Sequence, residues 1–157
     1  MTGRSPSNTT AARKAVVAFR NEFLKHLARF KCSNTPIAAL HNNSGSSYTI
    51  RDYLGSGLHA EDAEEVLLGA PQSPEDFMLT TTRDWFERLA RCRRFNLVLQ
   101  GAQARHDGSL SIWARGHGRP HVDVKTLHGR KISQQDMLAD VARAANVMAC
   151  SASRQKS

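Results

Sequence analysis

The spacing of apolar residues near the N-terminus predicts a long amphipathic helix over 11–30. Its apolar positions recur at intervals of three and four residues, and they are Val16, Phe19, Phe23, Leu27 and Phe30. This spacing places all of them on one stripe of an α-helix, while Lys14, Lys25 and Arg29 fall on the opposite face. The pattern therefore predicts a helix with one apolar side and one basic side.

Three shorter helices are expected in the rest of the first half. They are predicted at 35–40, 46–54 and 59–68. The first begins at Thr35 and Pro36, because Thr accepts a hydrogen bond from a free backbone N–H at a helix start and Pro needs no such partner there. The Gly- and Pro-containing run at 69–74 is typical of a linker.

After this run the pattern becomes a mixture of helix and strand. The predicted elements are a helix at 82–94, strands at 95–104, 109–115 and 120–127, and a last helix from Ser133. Asp107-Gly108 is a typical hairpin signal between the first two strands. The predicted fold class is α+β, with an N-terminal bundle of three to four short helices followed by an α-β-β-β-α unit. The expected organisation is an arm at 1–10, a helical region at 11–70, a linker at 71–80, the α-β-β-β-α region at 81–150 and a tail at 151–157.

Charge is distributed along the chain in blocks. The formal net charge is +8, with +7 on residues 1–51, −7 on 52–82, +7 on 83–131 and +1 on the remainder. Most of the basic residues are Arg, which binds phosphate through two parallel donors and stacks on bases. The two basic blocks predict a polyanionic partner, above all nucleic acid, with DNA favoured over RNA. The acidic segment at 61–65 is expected to pack against basic helices or to repel non-specific partners.

The remaining composition narrows the class of protein. No run of apolar residues is long enough to predict a membrane span. The polar N-terminal residues lack the apolar segment of a secretory signal. Cys32, Cys92 and Cys150 lie far apart and are odd in number, which is typical of reduced thiols. We therefore expect a cytoplasmic, nucleoid or nuclear protein rather than a secreted one, and the sequence leaves a homodimer open.

A helical triplet at 11–54 would combine the first helix, the Thr35-Pro36 helix start and a third helix beginning Ser46-Ser47-Tyr48-Thr49-Ile50-Arg51. This arrangement resembles a helix-turn-helix DNA-binding module, although the turn is longer here. In that family the N-terminal part of the third helix contacts base edges in the major groove. The resemblance implies that Ser46, Ser47, Tyr48 and Arg51 face DNA. The alternative is three packed helices joined by a polar loop.

Polar and apolar residues alternate strictly along the third predicted strand. His121, Asp123 and Lys125 fall on one face, and Val122 and Val124 on the other. With its flanking helices, this run resembles the restriction-endonuclease-like fold, in which a D/E-x-K pair supports phosphodiester hydrolysis.

That resemblance implies specific roles for four residues. Asp123 and Asp107 would hold Mg²⁺, a hard cation that prefers oxygen ligands, and Glu87 is the acid on the preceding helix. Lys125 would stabilise the charge that develops on phosphate. The alternative is the polar solvent face of a hairpin with two buried valines.

Two further motifs lie near this strand. Arg115-Gly116-His117-Gly118-Arg119-Pro120 resembles an AT-hook, which implies that Arg115 and Arg119 enter a narrow minor groove; the alternative is a Gly-rich turn. His117 and His121 are four residues apart but span a Gly-Pro turn, so no zinc site is expected.

The leading hypothesis is a nucleic-acid-binding protein without catalysis and without a cofactor, acting as a DNA-binding regulator or architectural factor. The alternatives are a metal-dependent nuclease that uses Asp107, Asp123 and Lys125 with Mg²⁺, and an RNA-binding or virion packaging protein. The expected nucleic-acid contacts are Arg13, Lys14, Lys25, Arg29, Ser46, Ser47, Tyr48, Arg51, Arg88, Arg91, Arg93, Arg94, Arg115 and Arg119.

Overall fold

The structure, a computed structural model, describes residues 6–29, 35–43, 48–69 and 73–154. Side chains are described from residue 10 onward in the first helix and up to residue 146 in the last. The chain forms two compact units, Met1–Cys32 and Ser33–Ser157. Helix α1 (Pro6–Arg29) belongs to the first unit. It confirms the helix predicted over 11–30, although Phe30 of the predicted stripe lies outside the described residues. On α1 the rings of Phe19 and Phe23 stack, with centroids 6.2 Å apart.

The second unit is built on a mixed sheet. The described residues form five strands: β1 (Ile37–Asn43), β2 (Ala63–Leu67), β3 (Phe77–Thr80), β4 (Asn96–Gln100) and β5 (His121–Leu127). Their order across the sheet is β1-β5-β3-β4-β2. The pairs β1–β5 and β3–β4 are parallel, and the pairs β5–β3 and β4–β2 are antiparallel. Strand β5 is therefore flanked on both sides.

One face of the sheet is apolar and lies under two helices, α2 (Arg83–Ala90) and α4 (Lys131–Arg154). Val122 and Val124 of β5 are fully buried on this face. The residues that pack with them from neighbouring elements include Leu97, Leu99, Trp85, Phe86, Leu89, Met137 and Val141. The two valines thus lie on the core side of β5, as the alternation predicts. Among the described residues, no helix combines the length and hydropathy that a membrane span requires.

The opposite face of the sheet carries a second, smaller apolar cluster. Phe77, Leu79 and Val98 pack there with Ile50 and Tyr53 from a 3-10 helix, Ile50–Tyr53. Thr49 caps this helix reciprocally with Asp52: its side chain accepts from a backbone N–H of the helix, and its own N–H donates to the Asp52 carboxylate at 2.6 Å. The cap fixes Tyr53 against the sheet. Helix α3 (Leu110–Gly116) packs against β5.

The predicted N-terminal bundle of three to four helices is wrong. Residues 35–40 belong largely to β1. The described part of the second predicted helix, 48–54, holds a 3-10 helix, and 59–68 holds a second 3-10 helix, Ala60–Asp62, followed by β2. β1 pairs with β5 along its whole length, and this pairing outweighs the local preference of a Thr-Pro helix start. Of the three helices that a helix-turn-helix module needs, only the first is present among the described residues.

The predicted α-β-β-β-α unit is also wrong, because its second strand, 109–115, is helix α3. The Asp107 carboxylate accepts a hydrogen bond from the backbone N–H of Ser109 at 2.8 Å, and Gly108 has a φ of 79°. This local turn leads into a helix rather than a hairpin. The proposed linker also contains β3, whose residues Phe77–Thr80 are all buried. β3 has four residues, which is too short for an alternation of polar and apolar residues to reveal a strand in the sequence.

The packing of the sheet makes one stability prediction. Leu97→Ala should lower the free energy of unfolding by about 2–5 kcal/mol, because Leu97 is 1% exposed and its removal leaves a cavity between β4 and the helices. The matched control is Leu58→Ala, since Leu58 is 74% exposed and should change stability by less than about 0.5 kcal/mol. Urea unfolding measures both. Similar losses in the two variants would contradict the core described above.

Candidate functional site

A cleft of about 470 Å³ opens over the polar face of β5, and we call it the β5 cleft. Strand β5 contributes Asp123 and Lys125 to its lining. The segment 48–62 contributes Tyr48, Tyr53, His59 and Asp62, and the loop 101–109 contributes Arg105, His106, Asp107 and Ser109. Hydroxyl, imidazole, carboxylate, ammonium and guanidinium groups therefore meet in one depression. Such convergence of polar groups is typical of a ligand or active site.

The Asp123 carboxylate lies at the centre of three basic side chains. Its Oδ1 is 3.0 Å from Nε2 of His41 and 3.7 Å from Nε2 of His121. Its Oδ2 is 3.7 Å from Nζ of Lys125. Burial by itself raises the pKa of Asp123, but the hydrogen bond with His41 and the charge of Lys125 outweigh burial, so the pKa lies below its usual value. Asp123 is therefore a buried carboxylate at neutral pH.

His121 is the most deeply buried of these basic groups. It is 0% exposed, and neither ring nitrogen has a hydrogen-bond partner among the described residues. Burial lowers the pKa of His121, and the nearby charge of Asp123 offsets only part of this effect. The ring therefore stays neutral at neutral pH.

Lys125 is held between the Asp123 carboxylate and an aromatic ring. Its Nζ lies 5.1 Å from the centroid of the Tyr48 ring, which is a favourable cation–π distance. The hydroxyls of Tyr48 and Tyr53 form a hydrogen bond with each other. Burial raises the pKa of both tyrosines above the usual value. Both hydroxyls therefore stay protonated, and because one of them donates to the other, only one keeps its hydrogen for a ligand.

Asp62 anchors the other side of the β5 cleft. Its Oδ1 accepts from the backbone N–H of Arg105 at 2.9 Å, and its Oδ2 accepts from the Arg105 guanidinium at 3.0 Å. Nδ1 of His59 lies 2.9 Å from the same Oδ2. Burial raises the pKa of Asp62, but the hydrogen bonds from Arg105 and His59 outweigh burial and lower the pKa to about 2. This carboxylate ties the loop 101–109 to the segment 48–62.

The structure brings the three residues of the nuclease hypothesis together. Asp107, Asp123 and Lys125 all line the β5 cleft. Asp107 reaches the cleft from the turn before α3, whereas the sequence predicts it in a hairpin turn between two strands. Burial raises the pKa of Asp107, and hydrogen bonds from Ser109 lower it more, so the pKa lies below its usual value. Glu87, the third acid of that hypothesis, lies exposed on α2.

The predicted nucleic-acid contacts fall in both units, and several of those in the second unit bind other groups of the protein. Arg88 donates to Asp84 at 2.8 Å, Arg94 lies within salt-bridge distance of Asp136 and Asp140, and Arg115 donates to backbone carbonyls of Gly101 and Ala102. Arg119 is only partly exposed, and Tyr48 lies in the β5 cleft. Ser46 and Ser47 lie outside the described residues. The exposed members of the set are Arg13, Lys14, Lys25 and Arg29 on α1, and Arg51, Arg91 and Arg93 in the second unit.

The acidic segment packs against basic residues, which is one of its two expected roles. Arg83 binds Glu64 at 2.6 Å and also binds Glu65, while Arg105 binds Asp62. Part of the charge that predicts a polyanionic partner is therefore neutralised within the protein. The exposed cations that remain form the better candidates for contact with a phosphate backbone.

The members of the site that sequence reasoning missed include His41, Tyr53, His59, Asp62, Arg105 and His106. His41 contacts Asp123 across 82 positions of sequence, and no local pattern predicts such a pair. Arg105 contacts Asp62 across 43 positions. The one local signal is that His59 and Asp62 are three residues apart. Because a helix was predicted over 59–68, this spacing was not recognised as part of a site.

The carboxylates of the β5 cleft do not form a ready set of ligands for Mg²⁺. Asp62 is occupied by Arg105 and His59, Asp123 by His41 and Lys125, and Asp107 by the backbone of Ser109. Among the described residues, no group of three or more His, Cys, Asp or Glu has an arrangement that could hold a metal ion. The residues that the nuclease hypothesis assigned to Mg²⁺ therefore share a cleft but do not fit an oxygen-ligand cage.

The anchoring role of Asp62 makes a prediction that depends on pH. Asp62→Asn should lower the free energy of unfolding at pH 7 by at most about 2 kcal/mol, since the pKa of Asp62 is about 2 in the fold and near 4 in an unfolded chain. A depressed pKa stabilises the fold above the unfolded value, and this stabilisation is lost as the pH falls through the folded value. The gap between wild type and variant should therefore close between about pH 4 and pH 2.

Urea unfolding at several pH values measures this gap. Asp84→Asn is the control, because Asp84 is 60% exposed in its pair with Arg88 and should show little change at any pH. A constant gap between wild type and Asp62→Asn down to pH 2 would contradict the assigned role.

Comparisons with known proteins leave the site to be interpreted from its own geometry. No protein-family model, no curated protein and no solved structure matches this chain significantly.

Proposed function

We propose that this protein cleaves phosphodiester bonds of nucleic acid in the β5 cleft. The observation that carries the proposal is the meeting of Asp107, Asp123 and Lys125 in one cleft together with two tyrosines and two histidines. A cleft of this size accepts a nucleotide more readily than a duplex. Buried charged groups that are held by specific partners are more typical of catalytic sites than of a surface that only binds a phosphate backbone.

The chemistry of phosphodiester cleavage requires a positive charge where the phosphate gains negative charge. Lys125 supplies that charge, and its partial burial strengthens the interaction with an incoming phosphate. Asp123 and the Tyr48 ring hold the ammonium group in place. The hydroxyls of Tyr48, Tyr53, Ser109 and Ser111 line the same space and add hydrogen-bonding groups for phosphate or sugar.

A second candidate function is nucleic-acid binding without cleavage. The exposed cations favour it: Arg13, Lys14, Lys25 and Arg29 lie along α1, and Arg91 and Arg93 follow the end of α2. Among the described residues, Arg91 and Arg93 have no carboxylate partner, whereas Arg88 on the same helix binds Asp84. Cations of this kind contact a phosphate backbone without reading its sequence.

The proposed cleavage predicts a loss of activity when the buried pair is changed. Asp123→Asn and Lys125→Ala should each reduce the cleavage rate by about 100-fold or more, because each removes a charge that orients or stabilises the reacting phosphate. The measurement is gel analysis of end-labelled single-stranded and duplex RNA and DNA, each with and without Mg²⁺.

The matched controls for this experiment are Asp136→Asn and Lys131→Ala, two changes on the exposed surface of α4. Both should cleave like wild type. Equal thermal unfolding midpoints would show that a loss of activity is not a loss of fold. If the wild-type protein leaves every one of these substrates intact, the cleavage proposal is wrong.

Binding through exposed cations predicts an affinity that falls with salt. With the Asp123→Asn variant to prevent cleavage, the logarithm of the association constant should fall linearly with the logarithm of salt concentration. Arg93→Ala should make this slope shallower by about one, whereas Arg88→Ala should change it less, because Arg88 is already neutralised by Asp84. Fluorescence anisotropy with single strands and random duplexes provides the measurement. An affinity that is independent of salt would contradict the binding candidate.

A further inference from the structure

Two imidazoles line the β5 cleft together with Lys125. The carboxylates of the cleft, in contrast, already accept hydrogen bonds from other groups of the protein. His59 comes from the segment 48–62, and its side chain is 27% exposed. His106 comes from the loop 101–109 and is exposed to solvent. Imidazole is the side chain that most often transfers protons near neutral pH. The cleft therefore holds groups suited to proton transfer, whereas its carboxylates are engaged by donors and cations.

The hydrogen bonds around His59 determine which of its nitrogens carries a proton. Nδ1 lies 2.9 Å from Oδ2 of Asp62 and also 2.9 Å from Nη2 of Arg105. The two hydrogens of that Nη2 already have acceptors, the carbonyl of Leu58 at 3.1 Å and Oδ2 of Asp62 at 3.0 Å. Nδ1 of His59 therefore donates its own hydrogen to Asp62. In the neutral ring this leaves the lone pair on Nε2.

The remaining contacts of His59 hold the ring in one orientation. It stacks on Tyr53 with centroids 5.4 Å apart and meets the edge of Tyr48 at 5.5 Å. Nε2 has no hydrogen-bond partner among the described residues. Imidazole acts as a general base when a carboxylate accepts a hydrogen bond from Nδ1 and Nε2 has no partner. In this arrangement the carboxylate stabilises the imidazolium that forms.

We propose that the β5 cleft cleaves RNA without a metal ion, by attack of the ribose 2′-hydroxyl on the adjacent phosphate, with His59 as general base and His106 as general acid. This inference rests on the proposed function and specifies its substrate and its chemistry. The juxtaposition that carries it is an oriented imidazole, a second imidazole and a held ammonium group in one cleft whose carboxylates are already engaged.

Each proton and bond of this step is accounted for. Nε2 of His59 takes the proton of the 2′-hydroxyl, the 2′-oxygen forms a bond to phosphorus, and the bond between phosphorus and the 5′-oxygen breaks. Protonated His106 gives its proton to the departing 5′-oxygen. The products are a 2′,3′-cyclic phosphate and a 5′-hydroxyl, and no water or other reactant is consumed. Lys125 stabilises the negative charge on the non-bridging phosphate oxygens during the transfer.

DNA cannot follow this route, because deoxyribose has no 2′-hydroxyl. The inference thus predicts a choice of RNA over DNA that depends on the nucleophile rather than on binding. It also predicts that two histidines matter as much as the Asp123–Lys125 pair. Both consequences differ from those of a metal-dependent nuclease, in which an activated water attacks either kind of nucleic acid.

The test uses the full chain and a labelled single-stranded RNA in EDTA and, separately, in Mg²⁺. Cleavage should proceed equally in both, should leave 2′,3′-cyclic phosphate and 5′-hydroxyl ends, and should be absent on the same sequence with 2′-O-methyl riboses. His59→Ala and His106→Ala should each slow cleavage by about 100-fold or more. His59→Gln is a second variant at the partly buried position in case His59→Ala unfolds.

The matched control is His128→Ala, since His128 is exposed on the turn after β5 and should cleave like wild type. Cleavage that requires Mg²⁺, that acts on DNA as well, or that leaves a 3′-hydroxyl would overturn the inference while the proposed function stands. Wild-type rates in folded His59 or His106 variants would also overturn it. No cleavage of any nucleic acid would remove the proposed function and this inference together.

Discussion

The buried carboxylate of Asp123 is the interaction on which the rest of the site depends. A carboxylate that is 8% exposed costs several kcal/mol to desolvate unless cations and donors surround it. His41 supplies a hydrogen bond from the edge strand β1, and Lys125 supplies a charge from the same face of β5. Removing Asp123 would leave the ammonium group partly buried without its counter-charge. Strand pairing and electrostatics therefore position the two charged groups together.

The second constraint acts across the mouth of the β5 cleft. Asp62 binds the backbone and side chain of Arg105, and its Oδ2 lies 2.9 Å from Nδ1 of His59. One carboxylate thus links a loop to an imidazole. The loop also brings His106 and Asp107 to the cleft. Asp123 and Asp62 therefore engage different basic side chains, Asp123 those of His41 and Lys125 and Asp62 those of Arg105 and His59.

Part of this site could be predicted from the sequence. The alternation from His121 to Lys125 placed the polar groups on one face of a strand and the valines on the other, because side chains alternate along any strand. What alternation could not show is that the polar face is buried rather than exposed to solvent. That depends on Tyr48, Tyr53 and α3, which lie elsewhere in the sequence.

The first half of the second unit could not be predicted for the same reason. Residues 37–43 form a strand because they pair in parallel with β5, more than 80 positions later, whereas Thr35-Pro36 favours a helix locally. Asp107 was expected in a hairpin turn between two strands. It reaches the site through an Asx turn before α3, so a turn was expected at this residue, but the element that follows is a helix and not a strand. Contacts of long sequence separation decided both outcomes.

The central claim is that a nucleotide phosphate occupies the β5 cleft between Lys125 and His59. The most direct measurement is an NMR titration of the histidine ring resonances with a dinucleotide that carries a 2′-O-methyl group and cannot be cleaved. The resonances of His59 and His106 should shift together, the resonance of His128 should not shift, and Lys125→Ala should weaken the effect. Shifts confined to His128, with none at His59 or His106, would contradict a phosphate in the β5 cleft.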